Sequence, residues 1–271
     1  NFADINGDGW PDLLIAADFC TSRVFINDQD GTFTDATSDV IEDENGMGAA
    51  LADYDNDGDL DWFVTSIIDD DGVVEANWGI TGNKLYQNDG SGVFTQVAAS
   101  AGVDFGDWGW GACFADFDND GTLDLFHVNG MNLPGGLGEE QFWNDPAHLF
   151  VGNGDGTFTE ESVLRGAADT GQGRGVICFD YDRDGDLDLY INNHRNQDTT
   201  PGTSRLLRNN GGNQSNWLGV RLTRESGNRH GIGARVSLTT VDGTQLREIA
   251  SGNHFLSSSP SEAHFGLGNA T

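Results

Sequence analysis

The chain has 271 residues, of which 37% are hydrophobic, with 39 Gly and only 5 Pro, a composition that predicts a folded, turn-rich domain rather than a disordered chain. Its 44 Asp and Glu against 13 Lys and Arg give a net charge of −31, which disfavours nucleic acid and anionic membrane surfaces as partners. No stretch approaches the ~18 apolar residues of a membrane span, so we predict no membrane-spanning segment.

The first of several similar units begins almost at the start of the sequence. Only Phe2 and Ala3 precede an acidic loop at Asp4, so we expect most of a first strand to be missing. Because the sequence also lacks an initiator Met and a signal peptide, we expect it to be a mature fragment. A second strand, a third strand and, after a turn, the start of a fourth are predicted at residues 13–16, 24–27 and 31–34.

The same order of elements recurs three more times. The later acidic loops begin at Asp53, Asp116 and Asp180, which lie 49, 63 and 64 residues after the preceding loop. First strands are predicted before these loops, at residues 46–52, 109–115 and 173–179. Second strands, with near-continuous apolar runs typical of burial on both faces, are predicted at 62–65, 125–128 and 189–192. Third strands are predicted at 85–88, 149–152 and 206–209, and fourth strands start at 92–95 and 156–159.

This repeat favours a β-propeller. Each unit forms a complete four-stranded sheet that would bury its faces against its neighbours, which fits a propeller blade better than a β-sandwich. We therefore predict an all-β fold with about four blades over residues 1–211 and a small β module over 212–271. Long connections between second and third strands, at 66–83, 129–147 and 192–204, could carry binding or be passive surface loops.

The acidic loops have the residue types and spacing of a metal site. In the second loop, carboxylates at positions one, three, five and nine converge, Gly58 at position six permits a sharp turn, and Asp59 supplies a backbone carbonyl. Ca²⁺ prefers about six to eight hard oxygen ligands. We predict four calcium sites, with the ligands Asp4, Asn6, Asp8, Asp12, Asp53, Asp55, Asp57, Asp61, Asp116, Asp118, Asp120, Asp124, Asp180, Asp182, Asp184 and Asp188.

Other interpretations of the loops are less favourable. An EF-hand needs a bidentate Glu at position twelve on an exiting helix, whereas that position here is Ile15, Val64, His127 or Ile191. Mg²⁺ is the competing metal, but a cage made wholly of protein oxygens favours Ca²⁺. One copy could be an ordinary Asp-Gly turn, whereas four copies in register favour metal.

Two consequences follow from a calcium interpretation. Because Asn6 replaces a carboxylate, we expect the first site to be the weakest. Four bound ions would change the net charge from −31 to −23, so chelation should destabilise the fold.

The three cysteines do not predict a cross-link. Cys20, Cys113 and Cys178 have no spacing typical of a zinc site or disulfide framework, so small buried side chains are expected. Cys113 lies three residues and Cys178 two residues before its loop, which in extended strands places them on opposite sides of a sheet. We therefore expect these two residues not to pair.

Residues 212–271 differ from the rest of the chain in charge. They hold five Arg and four carboxylates, a balance of +1, so residues 1–211 carry −32. Alternating segments around Val220, Val236 and Leu246 predict a small β module. Its Arg side chains could dock against the acidic repeats or be scattered surface charge, because surface ion pairs are weak.

The segment Asp53-Tyr54-Asp55-Asn56-Asp57-Gly58-Asp59-Leu60-Asp61 resembles the calcium loop of the FG-GAP/VCBS repeat of integrin-α-like propellers, a resemblance that covers about residues 1–211. Residues 217–222, 228–236 and 264–268 are similar to an ASPIC/UnbV domain, and the combination resembles a cartilage-acidic-protein-like family. The resemblance implies a secreted or cell-surface protein that binds a protein or glycan partner. In that family the propeller commonly has seven blades and the tail runs further, which implies a fragment or a form that has closed or assembled differently.

An enzyme is the first alternative to a binding protein. The sequence has no Gly-x-Ser-x-Gly elbow, no His-Glu-x-x-His and no phosphate loop. The six His residues are scattered, so a structural role is expected for each. A carboxylate pair for glycoside hydrolysis could hide among the Asp residues, but calcium binding explains those in the loops better. We therefore expect no enzymatic activity.

Two further alternatives remain. A carbohydrate-binding propeller could stack sugars on Trp78, Trp108, Trp110 or Trp143, although the Gly-rich setting of Trp108 and Trp110 favours the blade core. A structural subunit could pair its open strand edges with a neighbouring copy to build an extracellular filament. The leading hypothesis is an extracellular, calcium-stabilised propeller for adhesion, recognition or assembly.

Overall fold

The computed structural model describes residues 1–69, 79–131, 140–195, 201–252 and 254–270. Parts of all three long connections, including Asp70, Asp71 and Trp78, lie outside these ranges. The fold is all-β, as predicted, and each repeat unit forms an antiparallel sheet whose strands are hydrogen-bonded in chain order.

Blades one to three have four strands, and blade four has three within the described residues. Blade one comprises β1 (Phe2–Ala3), β2 (Asp12–Ile15), β3 (Arg23–Asn27) and β4 (Phe33–Asp35). Blade two comprises β5 (Ala49–Ala52), β6 (Asp61–Val64), β7 (Lys84–Asn88) and β8 (Phe94–Gln96). Blade three comprises β9 (Gly109–Ala115), β10 (Asp124–Asn129), β11 (His148–Gly152) and β12 (Phe158–Glu160). Blade four comprises β13 (Gln172–Phe179), β14 (Asp188–Arg195) and β15 (Arg205–Leu207).

Successive blades pack face to face because each second strand alternates its side chains between two neighbours. In β6, Trp62 and Val64 join the core shared with blade one, whereas Phe63 joins the core shared with blade three. In β10, Leu125 faces blade two and Phe126 faces blade four. Hydrophobic burial, worth about 1.5–3 kcal/mol for each large side chain, therefore stabilises the contacts between blades.

Burial on both faces, predicted for all second strands, holds only for the inner blades. Strands β6 and β10 are buried along their whole length. In contrast, Ile15 of β2 is 37% exposed and Tyr190 of β14 is 38% exposed. The prediction was wrong for these two strands because, within the described part of the chain, each end blade has a neighbouring blade on only one side.

Short helices that the sequence did not predict follow the fourth strands of blades two and three. They are α1 (Ala98–Ala101) and α2 (Ser162–Arg165), and each ends at a left-handed glycine, Gly102 with φ 78° and Gly166 with φ 73°, a conformation that favours Gly. A 3₁₀ helix spans Glu140–Asn144. Among the described residues, no helix is long and apolar enough to cross a membrane.

A disulfide joins the first strands of blades three and four. Cys113 of β9 bonds to Cys178 of β13, with Cα atoms 6.5 Å apart. The expectation that they would not pair was wrong, because the two strands belong to neighbouring blades and not to one sheet. One face of a blade meets the opposite face of the next, so residues on opposite sides of their own sheets come together. Cys20 is an exposed free thiol, not the buried side chain expected.

The residues after blade four form two small antiparallel sheets, which confirm the strands predicted there. They pair β16 (Asn216–Val220) with β19 (Ala263–Gly268), and β17 (Arg235–Thr239) with β18 (Thr244–Glu248). Ile249, Ala263 and Phe265 form the buried centre of this tail module. Leu246 instead joins the core between blades one and two, so the module packs directly on the propeller blades.

Candidate metal centres

Each acidic loop connects the first strand of its blade to the second and contains two left-handed residues. Position six is Gly in every loop, with φ of 86° at Gly9, 100° at Gly58, 98° at Gly121 and 100° at Gly185. Position four is also left-handed, with φ of 72° at Gly7, 59° at Asn56, 57° at Asn119 and 60° at Arg183. Gly and Asn adopt this conformation at low cost. The two reversals allow alternate side chains to converge inside the loop.

The carboxylate at position nine ties each loop to the third strand. In the second loop, Asp61 accepts the N–H of Tyr54 at 3.2 Å and the N–H of Asn88 at 2.8 Å. The equivalent acceptors are Asp12, Asp124 and Asp188. Burial nevertheless raises the pKa of Asp61 to about 9. Position nine thus closes the loop through hydrogen bonds, a structural role that the spacing of the motif did not reveal.

The carboxylate at position one differs between loops. Asp116 accepts the N–H of Asp120 at 3.1 Å and that of Gly121 at 2.9 Å. Asp53 is completely buried, and neither of its oxygens has a well-formed hydrogen bond. Burial raises the pKa of Asp53 to about 6, and the nearby N–H of Gly58 offsets only part of this effect. Burying a carboxylate without a balancing positive charge costs free energy. A cation bound in the loop would supply that positive charge.

Three loops gather carboxylates closely enough to share one ion. The sets are Asp53, Asp55 and Asp57; Asp116, Asp118 and Asp124; and Asp180, Asp182 and Asp188, with ligand oxygens within 4.8 Å of one another. Of the ligands predicted in these three loops, Asp61, Asp120 and Asp184 lie outside the sets. Among the described residues, the predicted ligands of the first loop, Asp4, Asn6, Asp8 and Asp12, form no such set. Burial, followed by repulsion from neighbouring carboxylates, raises the pKa of Asp55 and of Asp118. The oxygen-only donor sets fit a hard divalent cation such as Ca²⁺.

The first loop has a weaker donor set than the other three, and that it is the weakest calcium site stays a prediction. The side-chain N–H of Asn6 donates to Asp8 at 3.2 Å, and a hydrogen bond from the Trp10 N–H is the main factor that lowers the pKa of Asp8. Arg235 of the tail module lies 3.8 Å from the Asp4 carboxylate and also donates to the Asp4 carbonyl. The positive charge of this guanidinium partly neutralises Asp4 and so weakens the attraction of the first loop for a cation.

Side chains outside the motif also contact the ligands, and sequence analysis missed them. The contacts are Gln87 to Asp55 at 2.6 Å, Arg165 to Asp118 at 3.3 Å, and Arg208 to Asp182 at 3.1 Å. Gln87 and Arg208 occupy the same register position, one residue before the N–H that bonds position nine. An alignment of the third strands could therefore have identified these two residues.

Neighbouring loops are linked by side-chain amides. Asn56, at position four of the second loop, donates to the carbonyl of Gly121 at 3.2 Å. Asn119, at position four of the third loop, donates to the carbonyl of Gly185 at 2.8 Å. The first loop has a glycine at this position and cannot make the contact. The second, third and fourth loops are therefore mechanically connected along one end of the blades.

Two further asparagines, at or just after the third strands of blades two and four, join those blades to the acidic loops of blades one and three. The Asn88 side chain donates to the carbonyl of Ile5 at 2.7 Å, and the Asn209 side chain donates to the carbonyl of Phe117 at 2.6 Å. Both acceptors are position two of an acidic loop in the preceding blade. The structure therefore couples loop conformation to the packing of adjacent blades.

The tail module docks directly on the third loop. His264 donates from Nε2 to the side-chain oxygen of Asn119 at 2.6 Å, and the N–H of Gly268 donates to the Asn119 carbonyl at 2.7 Å. The His264 ring also stacks on Trp217, with centroids 5.8 Å apart. Hence the tail contacts a residue located between predicted metal ligands.

Arginines of the tail divide into two groups. Arg235 contacts Asp4 of the propeller, and Arg247 is hydrogen-bonded within the tail module, to the carbonyl of His264 among others, whereas Arg221, Arg224 and Arg229 are exposed. Burial lowers the pKa of Arg247 to about 10, while the charges of Asp116 and Asp53 oppose that shift. Docking against the acidic repeats, one of the two alternatives considered from the sequence, therefore applies to Arg235 by direct contact and to Arg247 through the charges of the loop carboxylates.

A cavity of about 710 Å³ lies between the first strands of the blades and the tail module. Its lining includes Phe114, Asp116, Asp180, Trp217, Arg247 and His264. Charges of both signs line it, and two of the carboxylates belong to the acidic loops. The cavity is therefore part of the docking region and not a separate site.

His127 has the structural role expected for it. It is completely buried in β10, where its Nδ1 donates to Asn129 at 2.8 Å and its Nε2 accepts from Asn83 at 3.2 Å. Burial lowers the pKa of His127 to about 3, so the ring is neutral.

Two of the tryptophans considered for sugar stacking belong to the blade core. Trp108 is 4% exposed and packs against Phe142. The guanidinium of Arg174 lies 3.9 Å from the centroid of the Trp110 ring. The position of Trp108 agrees with the blade-core interpretation, and Trp110 is partly buried against the core with Arg174 over its ring.

The blades and their acidic loops define the class of this protein. The FG-GAP-like repeat family matches residues 4–64, 68–127 and 142–191, which is more than half of the chain, and the chain belongs to that family. The ASPIC and UnbV family matches residues 224–271.

The chain is also similar over most of its length to cartilage acidic protein 1. It is 29% identical to the protein from Homo sapiens over 259 residues, and 30% identical to those from Mus musculus over 259 residues and Xenopus tropicalis over 265 residues. Each comparison covers 90% of this chain, which spans only 35% of the human relative and 36% of the other two.

Proposed function

We propose that the chain is a non-enzymatic, extracellular, calcium-binding repeat protein that serves adhesion, recognition or assembly. The main support for calcium binding comes from the second loop. There Asp53 is buried without a well-formed hydrogen bond, next to Asp55 and Asp57. Three carboxylates so placed favour a shared divalent cation. The recurrence of the loop extends the proposal to four sites.

The ion in each loop is proposed to be structural. Side chains at positions one, three, five and nine, all carboxylates except Asn6 of the first loop, would hold Ca²⁺, and the ion would reduce the repulsion among the carboxylates. Because Asn119 and Asn88 connect loops to neighbouring blades, ordering one loop also stabilises the contacts around it. Calcium would thus fix the surface that the propeller and the tail module present to a partner.

Two observations support an extracellular location. The Cys113–Cys178 disulfide is typical of proteins in oxidising compartments. The matched relatives are named cartilage acidic protein 1, which agrees with a strongly acidic protein of the matrix or cell surface. The proposed partner is a protein or a glycan at that location.

Titration calorimetry with CaCl₂ tests the metal proposal. We expect binding at about four sites, with dissociation constants near the ~10⁻⁴–10⁻³ M of extracellular calcium modules, and a chelator should lower the melting temperature. Mg²⁺ at the same concentration should bind more weakly. A melting curve that is unchanged by a chelator, together with no heat of binding, would contradict the proposal.

An Asp53→Asn variant gives a sharper result because its effect should change sign with calcium. Without calcium the variant should melt at the same or a higher temperature, since a buried charge without a partner is removed. With saturating calcium it should be less stable than the parent protein and bind one ion fewer. Asp39→Asn, which changes an exposed carboxylate outside the loops, is the matched control and should change neither quantity.

Partner binding is tested with the intact chain on glycan arrays and immobilised matrix proteins, in calcium and in chelator. The proposal expects a ligand whose binding is lost in chelator and recovers when calcium is restored. Turnover of a substrate that depends on the loop carboxylates would instead support an enzyme.

A further inference from the structure

The position-nine carboxylate of each acidic loop fixes one place in or next to the third strand of the same blade. We name this place the flanking position; it is the residue directly before the N–H that donates to that carboxylate. The flanking residues of blades one to four are Ile26, Gln87, Val151 and Arg208. Equivalent places thus hold two apolar side chains, one neutral amide and one guanidinium.

The flanking residues of blades two and four make matched contacts that differ in charge. In blade two, the side-chain amide of Gln87 donates to Asp55, at position three of the loop, at 2.6 Å. In blade four, Nε of Arg208 lies 3.1 Å from Asp182, also at position three, and Nη2 lies 3.0 Å from Asp184 at position five. Only the fourth loop therefore receives a positive charge from this place.

Arg208 pairs with two of the four ligands predicted for the fourth loop. In the second loop, Asp57 at position five belongs to the set of carboxylates whose oxygens lie within 4.8 Å of one another, whereas Asp184 at the same position of the fourth loop does not. The side chain of Arg208 is 50% exposed, so it can move into solvent when a cation arrives. A positive charge held at two ligand carboxylates reduces the attraction of this loop for calcium.

The second loop differs from the other three in its ion pairs. Among the described residues, its predicted ligands form no ion pair with an arginine, whereas Arg235 lies 3.8 Å from Asp4 in the first loop and Arg165 lies 3.3 Å from Asp118 in the third. The charge of Arg247 acts on carboxylates of both the second and the third loops, so it does not separate these two. The second loop thus keeps the most uncompensated negative charge.

We propose that arginines outside the motif set the order in which the loops take up calcium: Arg208 is a tethered counter-ion that delays filling of the fourth loop, and the second loop fills first. Without calcium, the guanidinium neutralises part of the charge on Asp182 and Asp184, and calcium has to share or displace it. For a half-exposed charge that is screened by salt, the dissociation constants of the second and fourth loops should differ by about fivefold. This inference rests on the proposed calcium-binding function and makes its sites unequal.

Nuclear magnetic resonance of the ¹⁵N-labelled full chain during titration with CaCl₂ tests the order, because each loop has its own glycine N–H at position six. In the parent protein, the midpoint for Gly58 should lie at a lower calcium concentration than the midpoint for Gly185. Arg208→Gln, which copies the flanking residue of blade two, should lower the Gly185 midpoint about fivefold, with a much smaller effect at Gly58. Gln87→Arg should raise the Gly58 midpoint by a similar factor.

Arg205→Gln is the matched control. It removes the same charge from β15, but Arg205 pairs with Asp169, outside the acidic loops, at 3.4 Å. Neither glycine midpoint should change in this variant. Far-ultraviolet circular dichroism establishes that each variant is folded.

Melting temperatures separate a counter-ion from an arginine that only supports the fold. In chelator, Arg208→Gln should melt at a lower temperature than the parent protein, because Asp182 and Asp184 lose their counter-ion. In saturating calcium, the difference should disappear or reverse, since the ion then supplies the positive charge. An equal loss in both conditions would show a purely structural arginine and overturn the proposal.

The titration also distinguishes failure of this proposal from failure of the proposed function. Equal midpoints for Gly58 and Gly185 in the parent protein, or a Gly185 midpoint that Arg208→Gln leaves unchanged, overturn the role of Arg208 while calcium binding stands. A shift of the same size in Arg205→Gln also overturns it, because the effect is then one of net charge. If no loop glycine responds to calcium, the proposed function is contradicted and this inference is wrong with it.

Discussion

The side chain of Asn119 donates a hydrogen bond to the carbonyl of Gly185 at 2.8 Å, although the two residues belong to acidic loops of different blades. Asn119 also donates to the carbonyl of Gly212 at 3.1 Å and accepts a hydrogen bond from His264 at 2.6 Å. One buried amide thus joins the third loop, the fourth loop and the tail module. Together with the bond from Asn56 to the carbonyl of Gly121, this amide makes the second, third and fourth loops a connected layer.

Removing this amide should destabilise the whole chain. Asn119→Gly keeps a residue that tolerates the φ of 57° but leaves two carbonyls and a histidine N–H without their partner. We expect a loss of about 1–3 kcal/mol in the free energy of unfolding, measured by urea denaturation. Asn56→Gly is the matched control at the same loop position, where the side chain is exposed and makes a longer bond of 3.2 Å. An equal effect at both positions would argue against the connecting role of Asn119.

Restoring the missing carboxylate in the first loop should strengthen its calcium site. Asn6→Asp places a third negative charge beside Asp4 and Asp8, which we expect to tighten the weakest site about fivefold, from an added attraction of about 1 kcal/mol. Calorimetry should show this gain in the weakest binding event. Ser38→Asp adds the same charge at an exposed position outside the loops and should leave the affinity unchanged. A gain of similar size in the control would indicate a general effect of net charge.

Local features of the sequence were enough to predict the blades. Apolar runs, glycine turns and the spacing of the acidic loops identified the strands that form β2 to β15, because each depends on residues close together in the chain. The same reasoning placed the carboxylates of the second loop in one motif, and the structure brings Asp53, Asp55 and Asp57 together.

Features that depend on which elements become neighbours could not be predicted in this way. The alternation of side chains along a strand correctly placed Cys113 and Cys178 on opposite faces of their sheets. It could not show that these two faces meet between blades three and four. The contact between His264 and Asn119 joins residues 145 positions apart, and nothing near either residue indicates it. The short helix α1 also lacks a strong signal, since Ala98–Ala101 is only one turn long.

Stability should depend on pH through Asp145, which lies outside the acidic loops. Burial, with a smaller contribution from the charge of Asp107, raises the pKa of Asp145 from 3.8 to about 8. Because the folded state holds this proton more tightly than the unfolded state, the contribution of Asp145 to stability is greatest below about pH 4 and falls as pH rises toward about 8. Asp145→Asn keeps an acceptor for the Trp108 N–H, which donates to Asp145 at 3.3 Å, and removes the titrating group.

We therefore expect Asp145→Asn to reduce the decline of the unfolding free energy between pH 5 and 8, measured by urea denaturation in chelator. Asp155→Asn is the control, because hydrogen bonds from Thr157 lower the pKa of this exposed carboxylate and keep it ionised throughout that range. A pH slope that is identical in Asp145→Asn and the parent protein would contradict the assignment.

The disulfide between blades three and four should contribute substantially to stability and should be detectable chemically. Cys113 and Cys178 are 65 positions apart, and closing a loop of that length restricts the unfolded chain by about 4 kcal/mol. The double variant Cys113→Ala with Cys178→Ala should lose most of this free energy, whereas Cys20→Ser, at the exposed free thiol, should melt like the parent protein. Alkylation in denaturant should label one thiol before reduction and all three cysteines afterwards. Labelling of three thiols without a reductant would show that the two blades are held by packing alone.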